Sequence, residues 1–238
     1  MYWYGILIAA GMLCAYLTAR AREKRCGFEE DLSAVCLLAG VPAGIVCARL
    51  YYVAFSFDAY RGDPLSILDL RSGGLAIYGG VLGGLAALWV LSRVKKLPFL
   101  RLCDLWAPGV ALGQAIGRWG NFANGEAYGV RVADESLCFF PLSVWIESDS
   151  SWHLATFFYE SVWCLGICVF LLLLERRGRR RDGDLFLGYA ALYALERLFV
   201  EGLRTDSLMW GPVRVSQALS AAVLAAALTA ICIRRRRR

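Results

Sequence analysis

Apolar residues run through this chain in long blocks rather than in alternation. Seven blocks, at about residues 2 to 18, 32 to 55, 73 to 92, 102 to 120, 154 to 174, 185 to 203 and 212 to 233, are long enough, or nearly so, to cross a bilayer as helices. No stretch alternates apolar and polar residues at the strand period, and a bilayer admits only helices or closed barrels. The pattern therefore predicts an all-α polytopic membrane protein with seven transmembrane helices. Residues 121–152, between the fourth and fifth blocks, carry Asp134, Glu135, Glu147 and Asp149 among Phe139, Phe140, Val144, Trp145 and Ile146. That stretch is too short for a second domain, so 1–238 is expected to be a single membrane domain, with 121–152 a small outer cap holding a short strand or an interfacial helix.

Composition agrees with the pattern. With 58% hydrophobic residues and a mean hydropathy of +0.51, the 238 residues hold more apolar surface than a soluble core can hide. Charge then sets the orientation, because Lys and Arg are retained on the cytoplasmic side. The basic residues cluster at Arg20, Arg22, Lys24 and Arg25, at Arg93, Lys95, Lys96 and Arg101, at Arg176, Arg177, Arg179, Arg180 and Arg181, and at Arg234 to Arg238. These clusters share one side only if there are seven spans with the N-terminus outside and the C-terminus cytoplasmic. The net charge of +6 is then a topology signal with anionic membrane lipid as its neighbour, and it argues against a nucleic-acid partner. The first block has basic residues behind it and none ahead, the reverse of a secretory signal peptide, and is expected to stay as an anchor. The nine cysteines form no Cys-x-x-Cys pair and there is one histidine, so neither a disulfide framework, a metal site nor a cofactor is indicated.

Against this apolar background the polar residues stand out. Gly117 to Gly129 reads Gly-Arg-Trp-Gly-Asn-Phe-Ala-Asn-Gly-Glu-Ala-Tyr-Gly, and it brings Arg118, Asn121, Asn124 and Glu126 together with four glycines, the inventory of an anion-binding pocket. Tyr2, Trp3 and Tyr4 open the first block as interfacial aromatics. Arg49, near the outer end of the second, costs about 2.5–3.5 kcal/mol on insertion scales unless it snorkels or pairs. In the third, Gly79/Gly83 and Gly80/Gly84 recur four apart, a spacing that lets helix backbones touch, while the Tyr78 hydroxyl needs a partner. Asp104 is expected at the inner interface. His153, Thr156 and Glu160 are spaced for one helix face, as are Arg197, Glu201 and Arg204. The topology puts Tyr4, Arg49, Tyr78, Arg118, Asn121, Glu126, Glu160, Arg197 and Glu201 at the outer side of the membrane although they come from different spans. That asymmetry predicts a polar cavity opening toward the outer leaflet. No intramembrane Ser faces a His and no aspartates pair, whereas an arginine cluster suits a phosphate, and a lipid headgroup is the natural anion at that depth.

These residues carry a resemblance. The run from Gly117 to Gly129 is similar to the signature of the prolipoprotein diacylglyceryl transferases, bacterial inner-membrane enzymes of seven spans. Trp3-Tyr4-Gly5 resembles that family's opening, Gly44 to Tyr52 its second-span Gly-x-x-x-Ala-Arg-Leu-x-Tyr pattern, and Gly73 to Gly84 its glycine-rich third span. His153 to Glu160 resembles its His-Pro to Tyr-Glu region, and Arg197 to Arg204 its Arg-x-x-x-Glu-x-x-Arg segment, with Ser216-Gln217 following. The resemblance covers nearly the whole chain. It implies transfer of an sn-1,2-diacylglyceryl group from phosphatidylglycerol to the lipobox cysteine of a prolipoprotein signal peptide, at a site facing the outer leaflet of the bacterial cell membrane, with no metal or cofactor.

Carried over by position, the resemblance marks Tyr4, Arg118, Asn121, Glu126, Gly129, Arg197 and Glu201 as critical. The expected catalytic set is Arg118, Arg197, Tyr78 and Glu201. Tyr4, Arg49, Asn121, Asn124, Glu126, Gly129, His153, Glu160 and Arg204 are expected to bind substrates. Two departures stand in the pattern: Tyr78 occupies a place where the family often has a His considered as a base, and Leu154 replaces a usual Pro. The chemistry fits the residues independently, since a thiol with a pKa of about 8.5 needs a base or nearby positive charge and a departing phosphate needs cations. A non-catalytic protein that binds or translocates anionic lipid is the alternative, and it would want polar residues continuing inward, where they are sparse. A degenerate homologue kept as an assembly partner draws only on Tyr78.

Overall fold

Each apolar block becomes a helix in the computed structural model, which describes residues 2–70, 73–178, 181–204, 209–211 and 213–236. These are α1 (Tyr2–Arg20), α2 (Leu32–Phe55), α3 (Ile77–Val94), α4 (Phe99–Ala123), α5 (Thr156–Arg176), α6 (Asp184–Leu203) and α7 (Val215–Arg236). Arg179, Arg180, Arg237 and Arg238 of the basic clusters, and the side chain of Tyr2, lie outside the described residues. Five helices, α1, α2, α3, α5 and α7, are long and apolar enough to cross a membrane by length and composition. The other two are long enough, at 25 and 20 residues, but are diluted by charge: Arg101, Asp104 and Arg118 in α4, and Asp184, Glu196, Arg197 and Glu201 in α6.

Helix boundaries shift where the backbone demands it. The third helix starts at Ile77 rather than Gly73, because Gly73 and Gly74 take φ of +87° and +70°, a left-handed conformation that ends helical geometry. Among the described residues, strands lie in the connections and at the block ends that border them, 121–152 being a stretch where a short strand or an interfacial helix is expected. Residues 121–152 and the start of the fifth block contain an antiparallel hairpin of β1 (Ser143–Ile146) and β2 (Ser151–Leu154), and a second, smaller one joins β3 (Met209–Trp210) to β4 (Val213–Arg214). Strands of four and two residues are too short for alternation to register. His153 therefore sits in β2, opposite Val144, and does not share a helix face with Thr156 and Glu160 as its spacing suggests.

The described residues divide into two compact units, Met1–Ala19 with Asp104–Arg238, and Arg20–Cys103. In the first, α4, α5 and α6 meet around Ala107, Ala111, Ile167, Cys168, Leu171 and Leu185. Small residues let α1 lie against α4: a methyl group on Gly11 would stand 2.8 Å from the Gly113 carbonyl oxygen, and one on Gly109 2.5 Å from that of Ala15. Asp104 is buried rather than interfacial. Its carboxylate accepts the backbone N–H of Gly183 at 2.7 Å and of Phe186 at 2.8 Å, capping α6, whose own N-cap glycine has no side chain to do so.

In the second unit α2 and α3 cross through one glycine pair. A methyl on Gly79 would overlap the Cys47 carbonyl and one on Gly83 would stand 2.5 Å from that of Ala43, whereas Gly84 faces open space. Of the two spacings in the sequence, Gly79/Gly83 makes the tight seam, with Gly80 bordering it at 3.3 Å from where a Gly44 methyl would stand. The stretch between these helices is held by Arg49. All five guanidinium donors are spent on backbone carbonyls: Nε on Ile67, Nη1 on Gly73 and Gly74, and Nη2 on Ser66 and Asp69, at 2.7 to 3.2 Å.

Candidate active site

Arg118 lies near the C-terminal end of α4, Glu160 near the N-terminal end of α5, and Arg197 and Glu201 in the last turns of α6. Glu160 is fully buried and stands between the two arginines, with Oε2 at 2.8 Å from Arg118 Nε and Oε1 accepting from Arg197 Nη1. Arg197 Nη2 donates to Glu201, one helical turn on, and Arg214 from the short hairpin before α7 donates to the Glu201 backbone carbonyl. The ion pairs are nearly dry: the side chains of Arg118 and Arg197 are 16% and 13% exposed, those of Glu160 and Glu201 0% and 3%. Removing one partner from such a cluster costs about 3–5 kcal/mol, because the other charge is left buried and alone.

The cations are held without being used up. The contact from Arg118 to Glu160 is close but misaligned, so that among the described residues Glu160 Oε2 accepts no hydrogen bond and the one that Arg118 donates goes to the Tyr193 hydroxyl at 3.4 Å. Arg197 spends two donors, on Glu160 and Glu201. A guanidinium offers five. Among the described residues, two mostly buried arginines thus keep several N–H groups for a further acceptor, and a planar fork of that kind matches a phosphate.

Other expected site residues are engaged differently. Asn121 and Asn124 both donate to Glu126 Oε1, at 3.1 and 3.4 Å, in an exposed clasp where the chain leaves α4 through Gly125 and Ala127, both at positive φ. Gly129 is buried, pairs with Arg204 in a β-bridge, and would force a methyl to 2.8 Å from Leu154 Cβ; close packing explains it. His153 donates from Nδ1 to the Gly129 carbonyl at 2.7 Å, and its Nε2 lies 2.6 Å from Asp149 and 2.9 Å from Ser151 Oγ. Burial works against the Asp149 carboxylate, but the hydrogen bonds from Ser151 and His153 outweigh it and hold the group below the usual carboxylate range. Tyr4 lays its ring on Gly120, 3.1 Å from where a Cβ would be, which accounts for a glycine inside the central run. Tyr78 and Arg49 belong to the other unit, where the Tyr78 ring lies 6.5 Å from that of Tyr51.

Sequence reasoning passed over three groups here: Tyr193, Arg214 and Glu196. Arg214 carried no readable signal, since the small hairpin decides where it points. Glu196 did carry one, as an acid beside Arg197 within an apolar block, and it is 4% exposed with no hydrogen-bond donor to either oxygen among the described residues.

Comparison with known proteins places this geometry in context. A family model described as prolipoprotein diacylglyceryl transferase matches residues 1–233. The chain is 45% identical over 222 residues to a Clostridium kluyveri protein, covering 92% of this chain and 86% of the relative. It is 41% identical over 240 residues to one from Bacillus cytotoxicus (99% and 88%), and 40% identical over 238 residues to one from Listeria monocytogenes (98% and 85%). All three relatives bear the name phosphatidylglycerol–prolipoprotein diacylglyceryl transferase. A match of this length and identity, over a chain whose buried arginines sit in the matched segments, means that the protein is an enzyme belonging to the prolipoprotein diacylglyceryl transferase family.

Proposed function

We propose that this protein transfers the sn-1,2-diacylglyceryl group of phosphatidylglycerol to the lipobox cysteine thiol of a prolipoprotein, forming a thioether and releasing glycerol phosphate. The observation that carries the reading is Arg118, mostly buried, with Nε against the Glu160 carboxylate and most of its Nη donors without an acceptor among the described residues. Arg118 and Arg197 take the phosphate oxygens of the donor lipid, and they stabilise the charge that grows on the phosphate as the glyceryl C–O bond breaks. Glu160 and Glu201 fix the two guanidinium planes from behind, which pre-organises them at no cost during the reaction. Arg204, Asn121, Asn124 and Glu126 shape the lip of the site, and Tyr4, Gly129 and His153 hold the backbone around it. Arg49 orders the stretch that precedes α3, the helix whose first turn carries Tyr78.

In this reading all seven helices cross the bilayer of a bacterial cell, with the N-terminus outside, the C-terminus in the cytoplasm and the site at the outer leaflet. α4 and α6 cross in spite of their charges because Arg118 and Arg197 pair with Glu160 of α5, Arg197 pairs also with Glu201, and Asp104 is hydrogen-bonded to the start of α6. Phosphatidylglycerol supplies the anion and the signal peptide the thiol. The test is direct: the purified protein is incubated with phosphatidylglycerol vesicles and a lipobox peptide, and the peptide is weighed. A gain of one diacylglyceryl mass with release of glycerol phosphate is expected; an unmodified peptide, with the lipid merely bound, would replace transfer by lipid binding.

A further inference from the structure

Glu196 is the acid of this region that the transfer reading leaves idle. It stands on α6 immediately before Arg197, is 4% exposed, and neither of its oxygens has a hydrogen-bond donor among the described residues. A carboxyl in that condition is costly to keep, and the usual compensation, a partner, is missing. The charged and titratable groups near enough to act on it come from three helices and the turn after α6: Arg118 of α4, Glu160 and Cys164 of α5, and Arg197 and Arg204. It therefore lies within the field of the ion cluster without being hydrogen-bonded into it among the described residues.

Transfer to a thiol needs somewhere for the thiol proton to go, and the acids expected at the site, with its one histidine, are occupied. Glu160 and Glu201 accept from arginines, Glu126 accepts from Asn121 and Asn124, and His153 is tied between Asp149, Ser151 and the Gly129 carbonyl. We propose that Glu196 is the proton acceptor of the transfer, taking the hydrogen of the substrate cysteine as its sulfur attacks the glyceryl carbon. The inference rests on the transfer reading. The S–H bond breaks toward the Glu196 carboxylate, the S–C bond forms, and the C–O bond to the phosphate breaks with its electron pair leaving on glycerol phosphate. The phosphodiester brings one negative charge and the released monoester carries about two. Glu196 passes from one negative charge to none in the same step. The charge beside Arg118, Arg197 and Arg204 thus stays level through the reaction, which matters most where burial makes any imbalance expensive.

The experiment measures transfer by the full-length protein in phosphatidylglycerol vesicles to two lipobox peptides, one with cysteine and one with selenocysteine, whose selenol is already ionised at neutral pH. Glu196→Gln should lower turnover of the cysteine peptide about 10²-fold, with the KM for the lipid unchanged. On the selenocysteine peptide it should stay within about threefold of wild type. Unaltered turnover of the cysteine peptide, or an equal loss on both peptides, overturns the proposal, the second outcome showing that Glu196 only positions the arginines. Should Glu196→Gln fail to fold, Glu196→Asp serves, because a carboxylate drawn back by one methylene must slow the cysteine peptide more than the selenocysteine peptide, and an equal effect is again contrary. Wild-type protein that modifies neither peptide sinks the transfer reading itself, a result distinct from any failure confined to Glu196.

Discussion

Arg49 and Arg118 are both arginines set into apolar helices, and their surroundings give them opposite work. Arg49 closes five hydrogen bonds with backbone carbonyls, whereas Arg118 closes one long one. Insertion cost says that each must find partners, and that much was legible from the residue type and its place in a block. Which partners they find was not, because the carbonyls around Arg49 belong to residues 66–74, where no periodicity announces a structure. Lys in place of Arg49 keeps the charge but has three donors, so at least two carbonyls lose their partner at about 1–3 kcal/mol each. We expect Arg49→Lys to lower the thermal midpoint and the hydrogen-exchange protection of residues 66–70. An unchanged midpoint would mean that water replaces the lost donors.

At the scale of elements, the apolar blocks located all seven helices, since burial in lipid or core leaves long runs that composition reveals. The connections were harder. The hairpin of β1 and β2 decides the place of His153, and its four-residue strands are held by local bonds, among them those from Ser151 and His153 to Asp149. Because folding depresses the Asp149 carboxylate, its contribution to stability is present above the ordinary Asp range near pH 3.9 and is lost as pH falls below it. Amide exchange of Val144 and Trp152, corrected for intrinsic rates, should therefore accelerate on acidification in wild type. In Asp149→Asn it should begin faster and change little. A wild-type hairpin equally protected on both sides of that range would separate the hairpin from Asp149.

For the whole molecule, the gathering of α4, α5 and α6 around buried charge was foreseeable as a demand and not as a geometry. The sequence places Arg118, Glu160, Arg197 and Glu201 toward matching ends of their helices, yet only packing reveals that Glu160 serves both arginines. Glu196 falls off the i, i+4, i+7 spacing that joins Arg197, Glu201 and Arg204, so helix periodicity does not single it out. Topology is open to a simple assay: a reporter fused after Arg238 should be active only in the cytoplasm, and one inserted near Asp134 only outside, while the reverse labelling would invert the depth assigned to the site. The central claim, that Arg118 grips a phosphate instead of balancing Glu160, is tested by the turnover of Arg118→Lys measured beside its thermal midpoint. A lysine restores the charge without the fork, so the account predicts turnover reduced on the order of 10²- to 10³-fold in a protein as stable as wild type. Near-normal turnover would contradict it, leaving Arg118 a structural counter-ion.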